Sequence, residues 1–135
     1  MSEIETILVK LADAFGPSGF ESEARRLFQE IISEVCAEID FDNLGSIIAY
    51  HRGRKETPKI LLAAHLDEVG LMVRGILPGG QLKVVPLGSW WAPALLAQPV
   101  IIRSQNREFT GVIGAKPPHY LKDEEKNRQL RIEDL

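Results

Sequence analysis

Between Pro58 and Val69 the sequence runs Lys59-Ile60-Leu61-Leu62-Ala63-Ala64-His65-Leu66-Asp67-Glu68, an apolar stretch that ends abruptly in a histidine and two carboxylates. An apolar run of this length, bounded by proline and by charge, reads as a strand buried on both faces. In open α/β sheets, ligand and metal chemistry collects where such strands end, beside the crevice at the sheet edge. His65 and Asp67 stand two residues apart, so a regular strand puts them on one face and Leu66 and Glu68 on the other. A histidine that binds a metal through one ring nitrogen usually gives its other N–H to a carboxylate, which fixes its tautomer. His65 with Asp67 has the chemistry for that pair.

The rest of the chain can be read around this strand. Ile4, Ile7, Leu8, Leu11, Ala12 and Phe15 follow helical spacing, with Ser2 and Glu5 forming a capping box and Gly16-Pro17 ending the helix. A second helix is expected from Ala24, Leu27, Phe28, Ile31, Ile32 and Val35, with Ser18 and Glu21 as its cap. Ile39 and Phe41 then alternate with Asp40 and Asp42, predicting a half-exposed strand. Asp42-Asn43-Leu44-Gly45 turns the chain into Ile47–Tyr50, which is expected to pair with Ile60–Ala64 as an antiparallel hairpin. After Glu68 the texture changes to short strands punctuated by glycine and proline: Val69 to Ile76, Leu82 to Leu87, Val100 to Ile102 and Phe109 to Ile113. That is the pattern of a small β-barrel or sandwich. A boundary near residues 66–70 divides the chain into 1–67 and 68–135.

Composition narrows the function. With 135 residues the chain suffices for one ordinary domain, and 44% hydrophobic with 26% charged residues is typical of a globular protein. A net charge of −3 gives no electrostatic reason to expect nucleic acid or an anionic membrane as partner. Arg52, Arg54 and Lys55 read as a solvated turn. Cys36, the single cysteine, forbids an intrachain disulfide and a cysteine metal cluster, and it fits a buried structural thiol in a reducing cytosol. The acidic N-terminus is unlike a signal peptide, and no stretch approaches the ~20 apolar residues of a membrane span. A cytoplasmic location is expected. Trp90 and Trp91 lie among leucines and read as core or subunit interface rather than as a sugar platform.

Several separate motifs share one resemblance. Gly16-Pro17-Ser18-Gly19-Phe20-Glu21, Asp42-Asn43-Leu44-Gly45, Ala63-Ala64-His65-Leu66-Asp67-Glu68-Val69-Gly70-Leu71-Met72-Val73, Leu87-Gly88-Ser89-Trp90, Gly111-Val112-Ile113-Gly114 and Lys116-Pro117-Pro118-His119 together resemble the N-terminal part of the glutamyl-aminopeptidase and tetrahedral-aminopeptidase family of metallopeptidases. Some members of that family are labelled endoglucanase or cellulase-like. Leu66, Ser46 and Ser89 depart from the usual Met, Asn and Gly, and none of the three removes a metal-binding atom.

The resemblance implies the N-terminal part of an α/β catalytic domain, two helices and a mixed sheet, followed by an incomplete β-barrel or sandwich domain used in oligomer contacts. It implies two divalent metals, zinc or cobalt, with His65 as a metal ligand and Asp67 as the catalytic-site carboxylate that orients it. Peptides would be the substrates and a homo-oligomer the working form. In the family the bridging Asp, the Glu-Glu pair with the general base, a further Asp and a final His lie downstream of the region matched here. The 135 residues are therefore expected to be catalytically incomplete alone. Rival expectations are an interaction or oligomerisation module, or one half of a split enzyme. Glycoside hydrolysis is disfavoured on geometry. Asp67 and Glu68 are neighbours on opposite strand faces and cannot face each other across the ~5–10 Å that two glycosidase carboxylates need.

Overall fold

The computed structural model describes residues 2–105 and 107–135. The chain divides into two compact units, one ending at Glu68 and one running Val69–Leu135.

The first unit opens with helix α1 (Glu3–Asp13). Its capping box is formed as predicted: the Glu5 N–H donates to Ser2 Oγ at 3.3 Å, and the Ser2 N–H donates to Glu5 Oε2 at 2.7 Å. Helix α2 (Ser22–Ile32) follows, and its Ala24 is buried. The predicted Ser18–Glu21 cap is not made. Glu21 is itself the N-cap, without a side-chain cap bond, and its carboxylate instead accepts from the Gly19 N–H at 2.6 Å. Val35 lies beyond the helix and is 62% exposed, because α2 closes at Ile32 and the chain turns through Cys36, whose N–H donates to the Ile32 carbonyl. Cys36 is buried, as expected.

Strands β1 (Glu38–Phe41) and β2 (Ile47–Tyr50) pair antiparallel, with Phe41 opposite Ile47 and Glu38 opposite Tyr50. The turn between them is fastened by Asp42, whose Oδ1 accepts from the N–H groups of Leu44 and Ser46 at 2.9 and 2.8 Å. Gly45 closes the turn at φ +93°, in the left-handed region that only glycine enters without strain.

The expected buried strand at Ile60–Ala64 is not formed, nor is its hairpin with β2. The segment has no ladder partner among the described residues, and Ile60, Leu61 and Leu62 are 81, 86 and 92% exposed. The segment is apolar, but a strand buried on both faces needs neighbouring strands and two covering layers, and among the described residues neither the free edge of β2 nor any other strand pairs with it. A single mixed sheet is likewise absent among the described residues. The unit's parallel element is one isolated bridge, Pro17 with Glu68.

The second unit consists of two further antiparallel pairs. Strand β3 (Gly70–Ile76) pairs with β4 (Leu82–Leu87), and β5 (Pro99–Ser104) with β6 (Arg107–Val112). The short helix α3 (Ala92–Leu95) buries Ala92 and Leu95. Trp90 donates its indole N–H to the Gly70 carbonyl at 2.9 Å, while Trp91 is 65% exposed. These hairpins are the building units of a barrel or sandwich, but no ladder joins β3–β4 to β5–β6 among the described residues. A short helix α4 (Asp123–Lys126) and a 3-10 turn (Ile132–Asp134) end the chain.

Candidate active site

The residues at the end of the apolar run are held by a turn some fifty residues earlier. Gly16 and Glu68 exchange a reciprocal pair of hydrogen bonds. The Glu68 N–H donates to the Gly16 carbonyl at 2.9 Å, and the Gly16 N–H donates to Glu68 Oε1 at 3.0 Å. One residue away, Ser18 Oγ donates to Asp67 Oδ2 at 2.9 Å. Gly16 suits this place because its backbone runs close to α2: an added Cβ would stand 3.1 Å from the Ala24 Cβ.

His65 sits on this anchored segment. Its Nδ1 lies 2.9 Å from the Asp67 backbone carbonyl and 3.4 Å from Asp67 Oδ1. A carbonyl only accepts, so the contact places a proton on Nδ1, and Nε2 is the ring nitrogen outside this contact. The regular strand expected to place the Asp67 carboxylate against His65 is not formed; the hydrogen bond is to the Asp67 main-chain carbonyl, and the carboxylate stands farther off at 3.4 Å. The His65 side chain is 86% exposed, whereas that of Asp67 is 40% exposed. An open depression of about 300 Å³ lies beside them, lined by Leu8, Leu11 and Ala14 on one side and His65, Asp67 and Glu68 on the other.

The other two histidines are engaged elsewhere. His51 Nδ1 contacts the Val35 carbonyl at 3.0 Å, and the His119 ring lies against Tyr120 with centroids 4.4 Å apart. Asp42 is committed to its turn, where hydrogen bonds from Ser46 first, then from Leu44 and Gly45, hold its carboxyl below the usual carboxylate range. Among the described residues no three His, Cys, Asp or Glu side chains converge as a metal cluster.

An imidazole held through Nδ1 has Nε2 as its second donor nitrogen, and in the neutral form that nitrogen suits a divalent transition metal. The donor chemistry therefore fits one ligand position, with an oriented ring, rather than a complete coordination shell. Glu68, read from sequence as a marker of the crossover, and Ser18, read as a helix cap, both belong to this site. Their partners lie 52 and 49 residues away, so no local spacing announces them.

The family model for M42 glutamyl aminopeptidases matches residues 45–135, which include the His65-Leu66-Asp67-Glu68 segment. The chain belongs to the M42 glutamyl aminopeptidase family. Among M42-like relatives, the lysyl aminopeptidase of Pyrococcus furiosus is 37% identical over 128 residues, 94% of this chain and 36% of that protein. A TET aminopeptidase from a marine sediment archaeon, Thaumarchaeota archaeon SCGC AB-539-E09, superposes with a TM-score of 0.90 at 36% identity, covering 98% of this chain and 37% of that one. The TET1 peptidase of Pyrococcus horikoshii, described as assembling into a tetrahedron or a large octahedral shell, gives a TM-score of 0.77 at 30% identity, over 98% of this chain and 39% of its own. The chain thus spans little more than a third of the length of the M42 relatives it matches. The mixed α/β architecture agrees with the N-terminal part of the TET aminopeptidase structure.

Proposed function

We propose that these 135 residues carry one ligand position, His65, and its orienting residue, Asp67, of a two-metal aminopeptidase centre that removes N-terminal residues from peptides. The observation that carries this reading is the His65–Asp67 contact, made through Nδ1, in a chain of the M42 family. A divalent metal pair, zinc or cobalt, supplies Lewis acidity toward the scissile carbonyl and water of lowered pKa. This chain's own part is to hold the imidazole in one tautomer and aim it. The remaining donors and the general base come from further polypeptide, continuous with these residues or separate from them.

The same reading assigns residues 1–67 to the catalytic domain and 68–135 to a β-rich domain that makes homo-oligomer contacts. Exposed area supports association. The chain exposes 11440 Å² for a mass of 15.1 kDa. A folded monomer of that mass exposes about 7,100 Å², and even two separate compact halves would expose only about 8,500 Å². The oligomeric TET1 neighbour points the same way. A reducing cytosol suits the lone free Cys36. Among the described residues no helix is long and apolar enough to cross a membrane.

Aminoacyl-nitroanilide hydrolysis in added Zn²⁺ or Co²⁺ tests the proposal. The chain alone is expected to show no metal-dependent turnover, and co-production with the missing donors should restore it. Turnover by the chain alone, lost in His65→Ala, would overturn the incompleteness. Restored turnover that survives His65→Ala would overturn the role of His65.

A further inference from the structure

We infer that Ser18 and Glu68 are positioning residues for His65, acting through Asp67 rather than touching metal or substrate. The inference rests on the reading of His65 as a ligand and adds how its ring is held. The exposed histidine has little packing to orient it; what restrains it is Asp67, through the carbonyl at 2.9 Å and the carboxylate at 3.4 Å. Asp67 in turn has two independent restraints. Ser18 Oγ occupies Oδ2, so the rotamer that turns Oδ1 toward His65 Nδ1 is the one selected. Glu68, the next residue, fixes the backbone by donating its N–H to Gly16 and accepting the Gly16 N–H with its carboxylate.

The preceding residues cannot do this work. From Lys59 to Leu66 there is no ladder partner among the described residues. The segment is therefore tethered at its C-terminal end, by the turn between α1 and α2. That turn is buried at Gly16 and Pro17 and adjoins the buried Ala14 and Ala24, among the few buried residues of the unit. A small-residue turn on the unit's core thus sets the aim of a histidine that stands in solvent. Outer partners of metal-binding histidines typically matter 10–100-fold in metal affinity.

The test uses the ring nitrogen shifts of His65 in ¹⁵N-labelled protein without metal, at a pH high enough for the ring to be neutral. The wild-type chain should show one tautomer, protonated at Nδ1. Ser18→Ala and Glu68→Ala should move both nitrogen shifts toward the average of an unrestrained ring. Ser18→Thr, which keeps the hydroxyl, and Glu68→Gln, which keeps an acceptor oxygen for Gly16, should restore the wild-type pattern. Backbone amide shifts outside residues 14–19 and 65–69 report whether each variant stays folded. Folded Ala variants that retain the single Nδ1-protonated pattern would overturn the positioning role and leave the ligand reading intact. A wild-type ring protonated at Nε2 would instead overturn the ligand geometry itself. If both Ala variants unfold, the Thr and Gln variants decide: an averaged ring in either, with the fold intact, contradicts the rescue and overturns the inference.

Discussion

Replacing Ile60, Leu61 and Leu62 together by Thr, Gln and Gln separates the fold observed from the buried strand that the sequence pattern predicts. Full burial of such a side chain is worth about 1.5–3 kcal/mol. At 81, 86 and 92% exposure, these three have between a twelfth and a fifth of their surface covered, which scales to about 0.1–0.6 kcal/mol each. The triple variant should therefore lose no more than about 1 kcal/mol of monomer stability. A strand buried on both faces would lose at least about 5 kcal/mol for the same changes, since each site forfeits its transfer energy and gains a polar group to satisfy. Chemical denaturation at a concentration shown by sedimentation to be monomeric reads the difference as a shift in midpoint. A loss of several kcal/mol in the monomer would refute the exposed conformation.

Three smaller predictions concern the local elements. Ser2→Ala removes one half of the capping box on a helix with no fully buried residue, so α1 should lose about 1 kcal/mol, read as faster amide exchange at Glu5 and Thr6. Leu95→Ala, at a side chain only 5% exposed, should destabilise the second unit by about 2–5 kcal/mol in denaturation followed by tryptophan fluorescence. Asp42 has a depressed carboxyl pKa in the folded state, so its stabilisation of the β1–β2 turn is full above the ordinary value near ~3.9 and is lost as pH falls through the lower folded value. Asp42→Asn keeps an acceptor but not the titration. The acid-induced loss of β1–β2 amide protection below about pH 4 should flatten in that variant, and an unchanged profile would remove Asp42 as its cause.

What sequence alone settled are the features whose partners are close along the chain. Ser2 and Glu5 are three residues apart, and Asp42 opens the turn it fastens through Leu44 and Ser46. Their geometry follows from covalent spacing, so residue type at fixed offsets is enough. His65 and Asp67 also stand close in sequence, but the strand expected to align them is not formed and the hydrogen bond runs to the Asp67 carbonyl instead of its carboxylate.

Tertiary structure decided the rest. An apolar run says that Ile60–Ala64 would gain from burial, but whether it is buried depends on neighbouring strands and covering layers, and among the described residues no strand pairs with it. Ser18 and Glu68 looked like a cap and a boundary marker because a hydroxyl and a carboxylate have many local uses. Only the fold places them against Asp67 and Gly16 across about fifty residues, where hydrogen-bond geometry, not spacing, selects the partner.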